Sequence, residues 1–319
     1  MEEKYTKCFQ VVHANTEDQD KRYRDLRRDW DYYAKTLELS PCPTHIDIEI
    51  TNACNLRCSM CERNLMTRKV GFMDYDLFCG IIDQCAQFGI RSVKLNLWGE
   101  SLLHKDLFRM IEYAKKRGIF CQFNTNVTFL NRENIEKLLK SGLDRITFSI
   151  ESIRKELYEN TRTGAGFETM MENLEGFIGK KPPGKKPYIT LQMIRMKRNH
   201  MYMQEFINRY KDRVDFISVT NVNAACGDPE ILKESMIDYK KFPKVPCVEL
   251  WLRLSVFWGG DVAVCCQDYD GFLKIGSIKD KTLKELWNSK ELNDLRQRHR
   301  NRDFSNLLCN TCTANYRLE

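Results

Sequence analysis

From residue 45 to residue 220 the chain repeats one unit, a short apolar run of strand character followed by an amphipathic helical segment. Strand patterns fall at 45–50, 92–97, 120–124, 145–150, 188–193 and 215–220. Helical patterns lie between them at 74–88, 105–117, 131–141, 167–179 and 200–210. Gly89, Gly118 and Gly142 punctuate three helix ends, as C-terminal caps do. Such alternation predicts an α/β fold around a parallel sheet with right-handed crossovers. A doubly wound sheet and a barrel satisfy the pattern equally well.

Either side of this body the chain changes character. Residues 1–43 form an extension, mostly one helix over 20–39 stopped by Ser40-Pro-Cys-Pro. After Asn223 the alternation ends. Segments 250–255 and 261–264 read as a hairpin around Phe257-Trp-Gly-Gly, followed by short helices at 282–287 and 290–300. The expected division is therefore an extension (1–43), an α/β body (44–223) and a tail (224–319). With 42% hydrophobic and 11% aromatic residues, wholesale disorder is excluded. No uncharged apolar stretch of about 18 residues is present to span a membrane. The first residues, Met1-Glu-Glu-Lys-Tyr-Thr-Lys, lack an apolar signal core. Fourteen cysteines in such a chain point to a reducing cytoplasm, where thiols serve metals or chemistry. The net charge of +7 is moderate. The mixed signs over 20–30 read as an exposed helix face rather than a nucleic-acid patch. Lys180-Lys181 and Lys185-Lys186 read as a solvated loop, and a weak preference for an anionic substrate is all that survives.

Three cysteines, Cys54, Cys58 and Cys61, crowd the loop that leaves the first strand. Spaced three and two residues apart, three thiolates can grip three corners of an iron–sulfur cube. A structural cluster takes four cysteines. The open fourth iron therefore implies a small-molecule ligand, by the logic that separates open catalytic zinc sites from closed ones. A zinc knuckle would want a fourth ligand close by, and the next cysteine, Cys79, lies beyond a polar loop. Cys79, Cys85 and Cys121 fall in helix or strand patterns and read as core. The tail holds a second constellation: Cys247, then Cys265 with Cys266 beside it, then the closing pair Cys309 and Cys312. Four of these could equally staple a zinc ribbon.

The C-x3-C-x2-C loop resembles the signature of the radical S-adenosylmethionine (SAM) enzymes. That resemblance implies a partial (β/α)6 barrel with its chemistry at the carboxyl ends of the strands. It also implies an open iron that chelates SAM and a 5′-deoxyadenosyl radical that takes hydrogen from substrate. Asn96-Leu-Trp-Gly-Glu100 resembles the family's Gly-Gly-Glu, whose glutamate meets the SAM amino group. Gly99 and Glu100 match it, and Trp98 replaces the first glycine. Ser149 and Arg162 resemble the family's contacts to SAM ribose and carboxylate, and Met60 occupies the slot whose backbone meets adenine. Asn124, Asn126, Asn221 and Asn223 are further candidate contacts.

The tail resembles the shortened SPASM module called twitch. On that likeness Cys247, Cys265, Cys309 and Cys312 hold one auxiliary [4Fe–4S] cluster, making two in the chain. In sulfatase-maturing relatives an acid follows the matching cysteine as substrate base. Here Cys266 takes that slot and Asp268 is the nearest acid. The resemblance thus implies an oxidoreductase that dehydrogenates a small sugar- or cyclitol-like molecule, with Asp268 as base and the auxiliary cluster as electron acceptor. A reductant such as flavodoxin or ferredoxin would serve it, with no nucleic-acid or membrane partner. Two other enzymatic readings remain: an epimerase using Cys226 or Cys266 as hydrogen donor, and a peptide maturase, for which the extension is short. A non-enzymatic iron–sulfur or zinc scaffold is the fourth reading.

Overall fold

A computed structural model describes residues 9–12, 21–305 and 307–316. Ten strands form one sheet: β1 (Phe9–Val12), β2 (His45–Ile48), β3 (Ser92–Lys94), β4 (Phe120–Thr125), β5 (Arg145–Ser149), β6 (Tyr188–Arg195), β7 (Phe216–Asn221), β8 (Arg253–Val256), β9 (Asp261–Ala263) and β10 (Lys274–Ser277). Their order is β1-β7-β6-β5-β4-β3-β2-β8-β9-β10. The neighbours from β2 to β7 are all parallel, as the alternation predicts. Strand β3 stops sooner than expected, because the Asn96 side chain takes the Asn124 amide at 2.8 Å.

The helices around the body are α1 (Lys21–Thr36), α2 (Tyr75–Phe88), α3 (Leu107–Lys116), α4 (Arg132–Lys140), α5 (Lys155–Thr161), α6 (Phe167–Lys180) and α7 (Met203–Tyr210). The tail adds α8 (Pro229–Leu232), α9 (Leu283–Trp287), α10 (Lys290–Arg300) and α11 (Leu307–Thr311). Alternate strand residues such as Ile46, Val93, Phe123, Ile146 and Leu191 pack into one apolar cluster with these helices. Their neighbours along the strand point the other way and are polar. Lys94, Asn96, Asn124, Ser149, Gln192 and Thr220, from five different strands or their carboxyl ends, line a single cavity of about 510 Å³. A flat sheet could not converge them, so the sheet curls into a partial barrel with a polar lumen.

Helix α1 closes the opposite end. Tyr23 packs with Phe120, Tyr188 and Phe216, and Trp30 lies 4.7 Å from the Arg253 guanidinium. The helix stops at Thr36, short of the expected residue 39, because Leu37 adopts a left-handed φ of 55°. Its expected first residue, Asp20, lies outside the described residues. The basic loop after α6 is exposed over residues 182–185, as expected, but the lysines on its two flanks are tied down. Lys181, only 6% exposed, pairs with Asp215 at 3.1 Å, and Lys186 pairs with Asp144 at 2.6 Å.

The tail hairpin forms around Phe257-Trp-Gly-Gly, with β8 and β9 antiparallel. Strand β8 also pairs in parallel with β2, from His45↔Arg253 to Ile48↔Val256, so the tail extends the barrel sheet. Strands β1 and β10 have no counterpart among the expected elements. No helix among the described residues is long and apolar enough to cross a membrane.

Candidate active site

The cysteine loop leaves the carboxyl end of β2 and is fastened on every side. Thr51 Oγ1 donates to Gly71 O at 2.7 Å, while Asn52 accepts the Gly71 amide at 2.9 Å and donates to Lys69 O at 3.0 Å. Arg57 N donates to Thr163 O and Ser59 N to Thr161 O, both at 3.0 Å. Gly99 presses against the loop's other side with φ +97°. A Cβ there would stand 2.6 Å from Thr51 O and 2.7 Å from Ala53 O. The sequence marked Gly99 as a cofactor contact; it lines the cavity, and its lack of a side chain is required for this backbone approach.

Cys54, Cys58 and Cys61 all line the cavity. Their thiols lie close enough for the charge on Cys61 or Cys54 to raise the pKa of Cys58, which burial above all pushes up to about 12. Leu56 and Arg63 turn backbone N–H groups onto the sulfurs of Cys54 and Cys61. The tail repeats this pattern: Glu249 on Cys247, Gln267 N on Cys265 at 3.3 Å and Ala314 N on Cys312 at 3.4 Å. Five of the seven expected ligands thus meet the amide two residues on, a donor that favours thiolate sulfur. Lys244 feels the charge of both Cys309 and Cys312, and its Nζ donates to Cys309 O at 2.9 Å. Among the described residues no three His, Cys, Asp or Glu groups gather for a single metal ion. The donor set is thiolate throughout, as an iron–sulfur cluster requires, and the first loop supplies three thiols and so leaves one corner open.

Other predicted residues converge on the same cavity. Glu100, 1% exposed, accepts Leu102 N at 3.1 Å, Thr125 Oγ1 at 2.9 Å and Asn126 N at 2.8 Å. Burial raises its pKa against the pull of those donors. Ser149 and Met60 line the cavity, as do Asn124, Asn126, Asn221 and Asn223. Arg162 also lines it and is held by Glu151 in a two-pronged ion pair, with Nη1 3.7 Å from Cys58 Sγ. On the floor, fully buried Asp47 takes Lys94 at 2.9 Å and Arg253 at 3.1 Å.

Three catalytic candidates part company. Cys266 lines the cavity beside Arg253 and Glu249, and burial pushes its thiol up to about 12. Asp268 does not line it. Fully buried, its carboxylate accepts Gly271 N, Phe272 N and Leu273 N at 2.8, 2.9 and 2.7 Å, so it closes a loop and is not placed to act as a base. Cys226 is also absent from the lining; its thiol donates to Glu62 Oε1 at 2.9 Å. The sequence reading missed Glu249, Arg253, Lys94, Gln192 and Gln267, which do line the cavity. The signal for Lys94 and Gln192 was their place on the polar face of alternating strands, in register with Ser92, Asn96 and Thr190.

Comparison with known proteins agrees with this geometry. Residues 48–183 match the model of the Radical SAM superfamily, and residues 247–313 match SPASM, an iron–sulfur cluster-binding domain. A tungsten-containing aldehyde ferredoxin oxidoreductase cofactor-modifying protein of Pyrococcus furiosus is 24% identical over 295 residues, covering 77% of this chain and 81% of that one. A probable GTP 3′,8-cyclase of Methanosarcina acetivorans is 30% identical over 214 residues, covering 63% of this chain; the chain spans 60% of that cyclase. The crystal structure of BtrN in complex with AdoMet and 2-DOIA shares the fold, with a TM-score of 0.58 at 16% identity over 84% of this chain and 92% of that one.

Proposed function

We propose that this chain, which carries a Radical SAM domain and a SPASM iron–sulfur cluster-binding domain, is a radical SAM enzyme that dehydrogenates a small, uncharged, polar molecule of sugar or cyclitol type. The observation that carries this reading is the cavity's two-sided lining. One wall is the cysteine loop with Glu100, Ser149 and Arg162; the other is Glu249, Arg253, Cys266 and Gln267 from the tail. A substrate there lies between the two cysteine sets. When bound, SAM and the clusters supply hydrogen-atom abstraction and an electron sink.

The protein's own groups do the rest. Asn124, Gln192, Thr220 and Gln267 offer amide and hydroxyl partners to a ring bearing hydroxyl groups. Most of the lining's cations are already paired, which weighs against the anionic substrate that net charge favoured; Arg63, whose Nε donates to Asn52 O at 2.7 Å, is the lining cation without an ion pair among the described residues. Lys94 and Arg253 already face Asp47, Arg253 also pairs with Glu249, and Arg162 faces Glu151. With Asp268 enclosed, Glu249 is the tail carboxylate placed to receive the hydroxyl proton of the oxidised carbon. Cys247, Cys265, Cys309 and Cys312 would hold the cluster that takes up the second electron, the first leaving with the abstracted hydrogen atom. A low-potential carrier such as ferredoxin or flavodoxin is the expected reductant. The names of the Pyrococcus and Methanosarcina relatives refer to a cofactor and to GTP, which favours a small molecule over a peptide.

Cys266 on the cavity wall supports a second reading, an epimerase in which that thiol returns a hydrogen atom. One experiment separates the two. The anaerobically reconstituted protein is incubated in heavy water with SAM, dithionite and a panel of sugars, cyclitols and GTP. A dehydrogenase gives an oxidised product in step with 5′-deoxyadenosine. An epimerase gives unoxidised product carrying solvent deuterium, and Cys266→Ser abolishes that label. Turnover of GTP alone would overturn the uncharged-substrate reading.

A further inference from the structure

Cys54 and Cys61 receive backbone amides from their own loop, but at Cys58 the structure brings in a side chain from elsewhere. Arg162 Nη1 stands 3.7 Å from Cys58 Sγ. Arg162 is 6% exposed, and Glu151, 1% exposed, grips its Nε and Nη2. The same segment fastens the backbone on both flanks of Cys58, through Arg57 N to Thr163 O and Ser59 N to Thr161 O. The position of Nη1 relative to the sulfur is therefore set by an ion pair and two backbone hydrogen bonds. Tyr158 and Thr161, both fully buried, each leave a hydroxyl without a hydrogen-bond partner in this segment. The pair is buried except at the edge that faces the cavity.

Resting on the reading of Cys54, Cys58 and Cys61 as cluster ligands, we propose that the Glu151–Arg162 pair sets the reduction potential of the cluster they hold. Reduction adds one negative charge, spread partly over the ligand sulfurs. An N–H donor on a cation beside one of those sulfurs stabilises the reduced state more than the oxidised state, and so raises the potential. Burial strengthens that effect. Glu151 opposes it. Its carboxylate fixes the guanidinium and cancels much of its charge at longer range, so the cluster meets a dipole with its positive end on Cys58. Arg162 is thus a tuning residue and Glu151 its counterweight. The cluster is kept a strong reductant by a neutralised cation rather than a free one.

The two partners should act in opposite directions, which a merely structural pair would not do. The test is an EPR-monitored potentiometric titration of the full-length, anaerobically reconstituted protein. Wild type, Arg162→Gln and Glu151→Gln are compared, and the Cys54/Cys58/Cys61→Ala triple variant identifies the tail cluster's signal. Arg162→Gln should lower the midpoint of the loop cluster, Glu151→Gln should raise it, and the tail cluster should stay put. Unchanged midpoints, or shifts of the same sign, overturn the proposal. If Arg162→Gln does not fold, the isosteric Glu151→Gln decides alone: an upward shift supports the proposal, and none or a downward one refutes it. A wild-type protein with no cluster that disappears in the triple variant would refute the ligand assignment itself, a separate result visible in iron content.

Discussion

Asp47 organises the charge inside the barrel. It is fully buried, yet Lys94 and Arg253 reach it from β3 and β8, and His45 stands 3.5 Å away. Burial pushes its pKa up, but the two cations outweigh burial and hold it well below the ordinary carboxylate range. Replacing it by asparagine keeps the shape, leaves the partly buried Lys94 without its carboxylate and leaves Arg253 with Glu249 alone. Asp47→Asn should therefore cost about 3–5 kcal/mol of folding stability, read as a lower denaturant midpoint. The pH dependence follows from the sign of the shift. With the folded pKa below the unfolded one, Asp47 contributes stability above the usual aspartate pKa of about 4, and that contribution is lost as pH falls through the folded value. Wild type should lose stability on acidification below that range, and the asparagine variant should lose less of it. An equally steep acid limb in both would show that Asp47 is not the group responsible.

At the scale of elements, the loop after β3 and the cysteine loop are one assembly. Glu100 N donates to Ala53 O at 2.8 Å, and Gly99 sits where a Cβ would strike two carbonyl oxygens. Gly99→Ala must move backbone rather than a flexible side chain and must also hold an alanine at φ +97°. A destabilisation of about 1–3 kcal/mol is expected from strain and overpacking. The Cys54 end of the loop should shift with it, so iron bound per chain after reconstitution should fall by up to about half, the share of one cube out of two. Full iron content in a folded Gly99→Ala protein would mean that the loop accommodates the methyl group. This close approach explains why part of the site was legible in the sequence and part was not. Cysteine spacing and the Gly-Glu pair are local signals, and the residues carrying them do meet. Asp268 was read as a base for its position beside the cysteines, but its environment is made by Gly271, Phe272 and Leu273 turning back on it. A turn that wraps a carboxylate leaves no mark in spacing alone. Glu249 and Gln267 reach the cavity only because the tail docks there.

For the whole molecule, the parallel strands were legible because each pairs with its neighbour in chain order, and the apolar period marks the face that meets the helices. The polar face was equally periodic, from His45, Asp47 and Glu49 to Gln122, Asn124 and Asn126. A solvent-exposed face carries the same pattern, so only curvature turns it into a lumen. The pairing of β8 with β2 was not legible, because partners about 200 residues apart leave no local signal. That pairing makes barrel and tail mechanically one sheet. Further ties cross the same junction. Arg68 joins Glu49 at 2.8 Å and donates to Tyr269 O at 2.8 Å, Leu283 N donates to Gln84 at 2.8 Å, and Trp287 Nε1 donates to Ser40 O at 3.0 Å. Local opening of the tail would therefore have to break an interior sheet ladder, take the Tyr269 carbonyl from Arg68 and take the Trp258 amide from buried Glu49, which is costly. Amide exchange in the full-length protein should protect β8 and β2 to the same degree, well beyond the exposed loop at residues 182–185. Arg68→Ala should speed exchange in both strands together. Fast exchange in β8 beside a fully protected β2 would instead mark the tail as an independent unit, and the two walls of the cavity would then be free to separate.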